Sequence, residues 1–150
     1  MPARRAILAA GPGLLAVSLR PRPLGATPEA MAAALRDFLG PSAPLPRPGR
    51  VTIDVPPLVE NGNAVPLTVT VDSPMTPADH VRRIAVFNER NPLPGVIVAR
   101  LGPGAGAARF ATRIRLATSQ SLLAVAEMND GSTWSESALV IVTLAACVES

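Results

Sequence analysis

The sequence contains no lysine and no tyrosine, and only one cysteine, one histidine and one tryptophan. These scarcities remove whole classes of function. A metal site needs several histidine, cysteine or carboxylate ligands brought together, and a blue-copper centre needs two imidazoles and a thiolate. His80 is the sole imidazole, so that reading fails; in "PADHV" it is expected to be a surface loop residue. No metal or other cofactor is called for. A cysteine–histidine catalytic pair would place its thiol near a chain end, with no third residue in view to orient it. Nothing in the sequence explains why every basic side chain is arginine.

Cationic excess is also missing where it would matter. The formal charge is +3, but Arg4, Arg5, Arg20 and Arg22 all precede residue 26 and no acid does. Beyond them ten arginines face 11 acids, a net charge of −1. Nucleic-acid binding would need a basic stripe on that part of the chain, and Arg113 and Arg115 are followed by no further cluster.

Long apolar runs are scarce too. The N-terminal stretch from Ala6 to Leu19 is interrupted by Gly11, Pro12 and Gly13 and is short for a bilayer span. Its order reads as an export signal over residues 1–26: a charged start, an apolar region, and Ala26 as the expected last residue before cleavage. Arg4 and Arg5 followed by Ala-Ile-Leu are similar to a twin-arginine signal, which predicts a periplasmic protein with no membrane segment after signal removal.

What the chain does have is punctuation. Prolines number 17 and glycines 11 in 150 residues, a density that favours many short elements over a helical bundle. One helix is expected in "TPEAMAAALRDFLGP". Thr27 suits the cap, Pro28 the first turn, and Glu29 the positive end of the dipole. Met31, Leu35, Phe38 and Leu39 share a face, and Gly40-Pro41 stops the helix. With the proline-rich linker after it, this forms a segment 27–49. From residue 50 to 144 seven strands are expected: "VTIDVP", "AVPLTVTVDS", "VRRIAVFN", "GVIVARLG", "ARFATRIRLA", "SLLAVAEM" and "SALVIVTLAA". Leu67, Val69 and Val71 alternate with polar partners, as do Ile114 and Leu116 with Arg113 and Arg115, so one face is buried and the other wet. Turn signals separate the runs, among them Asn61-Gly62, Asn91-Pro92 and Asp130-Gly131. Seven short strands without intervening helices predict an immunoglobulin-like antiparallel β-sandwich preceded by one short helix. Met75 and Met128 are expected in turns or packing, and Trp134 on a strand at the rim, where its indole is able to face a partner.

Cys147 then stands out, three residues from the end of the sequence in "VIVTLAACVES". Exported proteins normally pair their cysteines. An odd one implies an intermolecular bond or a thiol kept free for use. As a small hydrophobe it would close the last strand. Its position favours a different expectation: chain ends are mobile unless tied down, and a thiol on such an arm (145–150) suits carriage better than catalysis, because nothing holds it in a reactive geometry.

At this point the sequence resembles the SoxY family, sulfur-carrier subunits of the periplasmic Sox system of thiosulfate oxidation. The resemblance spans most of the chain, through "PPLVENGNAVPLTVTVDSPMTPADHV", "NPLPGV", "ATRIRLATSQSLLAVAEMNDGS" and the strand leading into the cysteine. It implies an immunoglobulin-like sandwich, covalent attachment of sulfur at Cys147, no turnover by the carrier itself, and pairing with a second small β-protein, SoxZ. It also implies transient partners: a haem protein that joins thiosulfate to the thiol and a metal-dependent hydrolase that releases sulfate. The family's cysteine is flanked as Gly-Gly-Cys-Gly-Gly; here the arm reads Ala145-Ala146-Cys147-Val148-Glu149-Ser150. Alanine restricts φ relative to glycine, Val148 is stiff, and Glu149 with the terminal carboxylate disfavours thiolate and repels anionic thiosulfate. The arm is therefore expected to be stiffer and more acidic than the family pattern. Three readings stay open at the level of sequence: a divergent carrier, a paralogue that pairs with SoxZ without carrying sulfur, and an exported immunoglobulin-like binding or scaffold module with an incidental cysteine.

Overall fold

A computed structural model describes residues 26–144. The segment expected to be an export signal, with Arg4 and Arg5, and the arm residues Ala145, Ala146, Cys147 and Val148 lie outside the described residues.

The chain opens with helix α1 (Pro28–Leu39), set by its ends as the sequence predicts. The Thr27 hydroxyl accepts from the Ala30 N–H at 3.1 Å. Gly40, at φ 100°, turns the chain out while its N–H still reaches the Arg36 carbonyl, a conformation glycine adopts without a Cβ penalty. Nine strands follow: β1 (Arg47–Pro48), β2 (Val51–Asp54), β3 (Leu58–Asn61), β4 (Val65–Val71), β5 (Val81–Asn88), β6 (Gly95–Arg100), β7 (Arg109–Ile114), β8 (Gln120–Met128) and β9 (Thr133–Leu144).

They form two sheets, an immunoglobulin-like sandwich. The larger runs β1-β9-β8-β5-β6, with β3 also on β9; the smaller runs β2-β4-β7. All seven expected strands are present, and their mutual ladders are antiparallel. The two further strands, β1 and β3, are short and lie parallel to β9, one near each of its ends. Both sit in segments whose prolines argue locally against a ladder: Pro44, Pro46 and Pro48 around β1, and Pro56-Pro57 before β3. The segment expected to be linker thus supplies an edge strand, and β9 begins at Thr133, four residues before the run that marks it in sequence.

Alternation fixes the core. Val65, Leu67, Val69 and Val71 of β4 point inward and are buried against Ile84, Val86, Leu122, Ala124 and Val140 of the larger sheet. Ile114 and Leu116 are buried while Arg113 and Arg115 face water, which is the predicted period-two pattern. β5 departs from alternation because it is covered on both faces. Its second face carries Ala85 and Phe87, which with Val125 take the apolar stripe of α1: Met31, Ala34, Leu35, Phe38 and Leu39. Phe38 meets Phe87 edge-to-face with ring centroids 5.9 Å apart. The edge of β2 is protected by the Glu136 carboxylate, which accepts from the Ile53 N–H at 2.6 Å; an unpaired strand edge otherwise invites pairing with another chain.

Candidate functional site

β9 is the element that delivers the cysteine arm, so the site is built from whatever holds its last residues. β8 pairs with β9 only as far as Gln120 opposite Val140. Beyond that point the partner changes sides. β3 pairs in parallel with Ile141, Val142 and Leu144. On the side that β8 has left, the Ser119 side chain replaces the ladder: its hydroxyl accepts from the Val142 N–H at 2.8 Å and lies 3.4 Å from the Val142 carbonyl. The Gly62 N–H donates to the Leu144 carbonyl at 3.1 Å, and the Gly62 carbonyl accepts from the Leu116 N–H at 2.8 Å. Thr143 directs its hydroxyl to the Val59 and Glu60 carbonyls. The root of the arm is therefore anchored through Leu144, with Cys147 three residues further on.

A buried polar plug underlies this end of the sandwich. Gln120 is buried and fully partnered: its amide oxygen accepts from Arg90 N–H, and its amide nitrogen donates to Asn91 Oδ1 and the Thr118 carbonyl. Asn91 donates to the Arg115 carbonyl at 2.7 Å and accepts from the Ala117 N–H at 3.0 Å. Asn88 accepts from the Asn91 N–H and donates to the Leu93 and Pro94 carbonyls. Such groups are costly unless satisfied, and here each is. They tie the loop between β5 and β6 to the loop between β7 and β8. Beside the plug, between β6 and β7, a cleft of about 350 Å³ is lined by Asn91, Leu93, Ile97, Arg113 and Arg115 among others.

The face of β9 that points away from the core is apolar near the same end. Leu139, Ile141 and Leu58 are 60%, 43% and 60% exposed, and Leu58 stands opposite Ile141 in the register. Outward positions of a half-wet strand are ordinarily polar.

The remaining residues singled out in the sequence lie elsewhere. His80 is partly exposed in a loop, its Nδ1 3.0 Å from the Thr76 carbonyl. Among the described residues no group of three or more histidine, cysteine or acidic side chains is placed to hold a metal. Met75 and Met128 are buried; Met75 is in a turn at φ 53° and its sulfur accepts from the Val81 N–H at 3.4 Å. Trp134 stands at the opposite end of β9 from the arm, half-buried, with the Arg47 guanidinium 4.4 Å from its ring centroid. The anchoring residues Ser119, Gly62, Asn91 and Gln120 have no motif of their own. The only local signals were the turn at Asn61-Gly62 and the Asn91-Pro92 break, and neither shows what the turn holds. All four nevertheless fall within the stretches that carry the family resemblance: "ENG", "NPLPGV" and "ATSQS".

Comparisons with known proteins bear on the family and the fold. The family model described as sulfur oxidation protein SoxY matches residues 35–147, a span that reaches the cysteine. The sulfur carrier protein SoxY from Chlorobium limicola f thiosulfatophilum superposes with a TM-score of 0.65 at 25% identity, covering 77% of this chain and 98% of that one. A superoxide reductase (neelaredoxin) from Ignicoccus hospitalis superposes at 0.56 with 18% identity, covering 79% of this chain and 95% of that one, a likeness of fold alone. No curated protein sequence matches significantly.

Proposed function

The chain belongs to the SoxY family of sulfur oxidation proteins, and from that premise we propose that it is a sulfur carrier that binds its cargo covalently on Cys147. The observation that supports this most is the anchoring of Leu144. A strand held from both sides at Val142, and by β3 and Gly62 through Leu144, gives a thiol three residues further along the chain a fixed starting point on a rigid domain. Carriage needs that and no more.

In the loading step a Cys147–sulfur bond forms to the outer sulfur of thiosulfate. The thiol gives up its proton and the new S–S bond releases two electrons, which a partner haem protein accepts. Water then attacks the sulfonate sulfur; sulfate leaves and a persulfide remains on Cys147, a step assigned to a partner hydrolase. Thiolate chemistry at sulfur is suited to this because the bond is reversible. The carrier performs no turnover of its own, is exported to the periplasm through Arg4 and Arg5, and pairs with a SoxZ-like β-protein.

The test is an intact mass of the mature protein from cells supplied with thiosulfate, before and after a thiol reductant. A reductant-sensitive increase that maps to Cys147, and that Cys147→Ser abolishes while leaving the fold and SoxZ pairing intact, is the expected result. A bare thiol under conditions where the partner enzymes are active would instead identify a paralogue that keeps the fold without the cargo.

A further inference from the structure

A second concave site lies at the far end of the sandwich from the arm. A bulge in β5, where the register with β8 shifts between Val81 and Arg83, turns Arg82 and Arg83 toward the same carboxylate; a bulge inserts one extra residue and so re-aims the side chains around it. Arg83 makes the closer pair with Glu127, donates to the Phe38 carbonyl at 3.1 Å and lies 4.2 Å from the Phe38 ring centroid. It is 26% exposed and Glu127 16%, so the two form a neutral, fixed floor. Arg82 is 56% exposed and reaches Glu127 only at 3.8 Å. Arg100 stands directly opposite Arg83 on β6 and is exposed, with no ion pair to a described acid. Like charges facing each other across neighbouring strands are destabilising unless something neutralises them. His80, Arg82, Arg83, Arg100, Leu101 and Glu127 line one cleft of about 450 Å³.

We propose that this cleft binds a small divalent oxoanion between the guanidinium groups of Arg82 and Arg100, with His80 at its rim. With Arg83 matched by Glu127, two planar cationic forks remain, a charge of +2. Guanidinium forks recognise tetrahedral oxoanions through paired N–H···O bonds, and a divalent ion neutralises both where a single carboxylate leaves one over. The chain's own thiol does not serve this site. β9 is 12 residues long, roughly 40 Å at about 3.3 Å per residue, and it separates the two ends. Three residues of arm extend Cys147 by no more than roughly 11 Å beyond Leu144. The ligand is thus bound as a free ion, independently of covalent carriage.

The experiment is an amide and arginine Nε NMR titration of the full chain carrying Cys147→Ser with sodium sulfate, ionic strength held constant with sodium chloride. Thiosulfate is the second probe, and an acidic peptide, hexaglutamate, the third. Saturable shifts centred on Arg82, Arg100 and Leu101 are expected with both oxoanions. Arg100→Ala and Arg82→Ala should each weaken binding roughly tenfold or more, the share of one charge-assisted contact, with spectra otherwise native. Shifts that do not saturate, equal shifts with chloride alone, unchanged affinity in both variants, or response to the acidic peptide but not to sulfate would each overturn the proposal. Because the cysteine is absent throughout, none of these outcomes bears on the carrier reading.

Discussion

The Gly62 N–H donates to the Leu144 carbonyl at 3.1 Å while the Gly62 carbonyl accepts from Leu116. One small turn residue therefore ties the last described residue of β9 to the segment that leads from β7 toward β8. The position from which the C-terminal arm starts is set by the backbone of the sandwich.

The Ser119 hydroxyl substitutes for a ladder partner at Val142. Ser119→Ala removes it and should lower stability by about 1 kcal/mol, the net worth of an ordinary hydrogen bond. Hydrogen exchange at the Val142 amide should quicken while Val125, in the covered middle of β8, is unchanged. Equal protection at Val142 in the variant would mean that β3 alone fixes the arm root.

Restoring glycine around the thiol, as Ala145→Gly, Ala146→Gly, Val148→Gly and Glu149→Gly together, should speed thiosulfate loading by the partner enzymes several-fold. Glycine frees φ on both sides of the thiol, and loss of Glu149 removes repulsion of an anionic substrate. Unfolding midpoints should not move, because the changes lie beyond the anchored strand. A rate unchanged from the natural arm would show that neither the alanines and Val148 nor the Glu149 charge limits loading.

Leu67 is fully buried between the sheets. Leu67→Ala should cost about 2–5 kcal/mol, the range for emptying a close-packed leucine site. Guanidinium unfolding followed at Trp134 measures it. A loss under about 1 kcal/mol would mean that this part of the core collapses to fill the space.

Asp130 is held below its ordinary pKa by the Ser132 hydroxyl and then by the Ser132 N–H, which donate to its carboxylate at 2.6 and 2.9 Å. A carboxyl whose folded pKa is depressed adds stability that is present above its unfolded value, 3.8, and lost as pH falls through the lower folded value. The stability difference between the parent and Asp130→Asn should therefore shrink as pH is lowered below 3.8. The group is exposed, so the effect is small and weakens with added salt. A difference that stays constant across that window would assign the turn's stability to shape instead of charge.

The sequence by itself determined the parts that depend on neighbours along the chain. Thr27, Pro28 and Gly40 set the ends of α1 because capping is a matter of a few adjacent backbone groups. Val65 to Val71 and Ile114 to Leu116 set the buried faces because a strand's side chains alternate by geometry. The single cysteine is likewise legible as written, as is the family resemblance in the stretches that hold "ENG", "NPLPGV" and "ATSQS". Tertiary structure decided what depends on residues distant in sequence. β1 and β3 are strands because β9 offers them an edge; the prolines in and beside them argue against strands. Gly62, Ser119 and Leu144 are 25 to 82 positions apart, so no local pattern shows that they meet at the arm root. Arg100 lies 17 residues from Arg83 and reads in sequence as an isolated charge. The antiparallel pairing of β5 with β6 sets the two arginines side by side, and the bulge at Arg82 brings a third guanidinium to within 3.8 Å of the Glu127 carboxylate that pairs with Arg83. Local preference is fixed by bonded and near-neighbour sterics, whereas which edges and charges meet is fixed by how two sheets must stack to bury their apolar faces together.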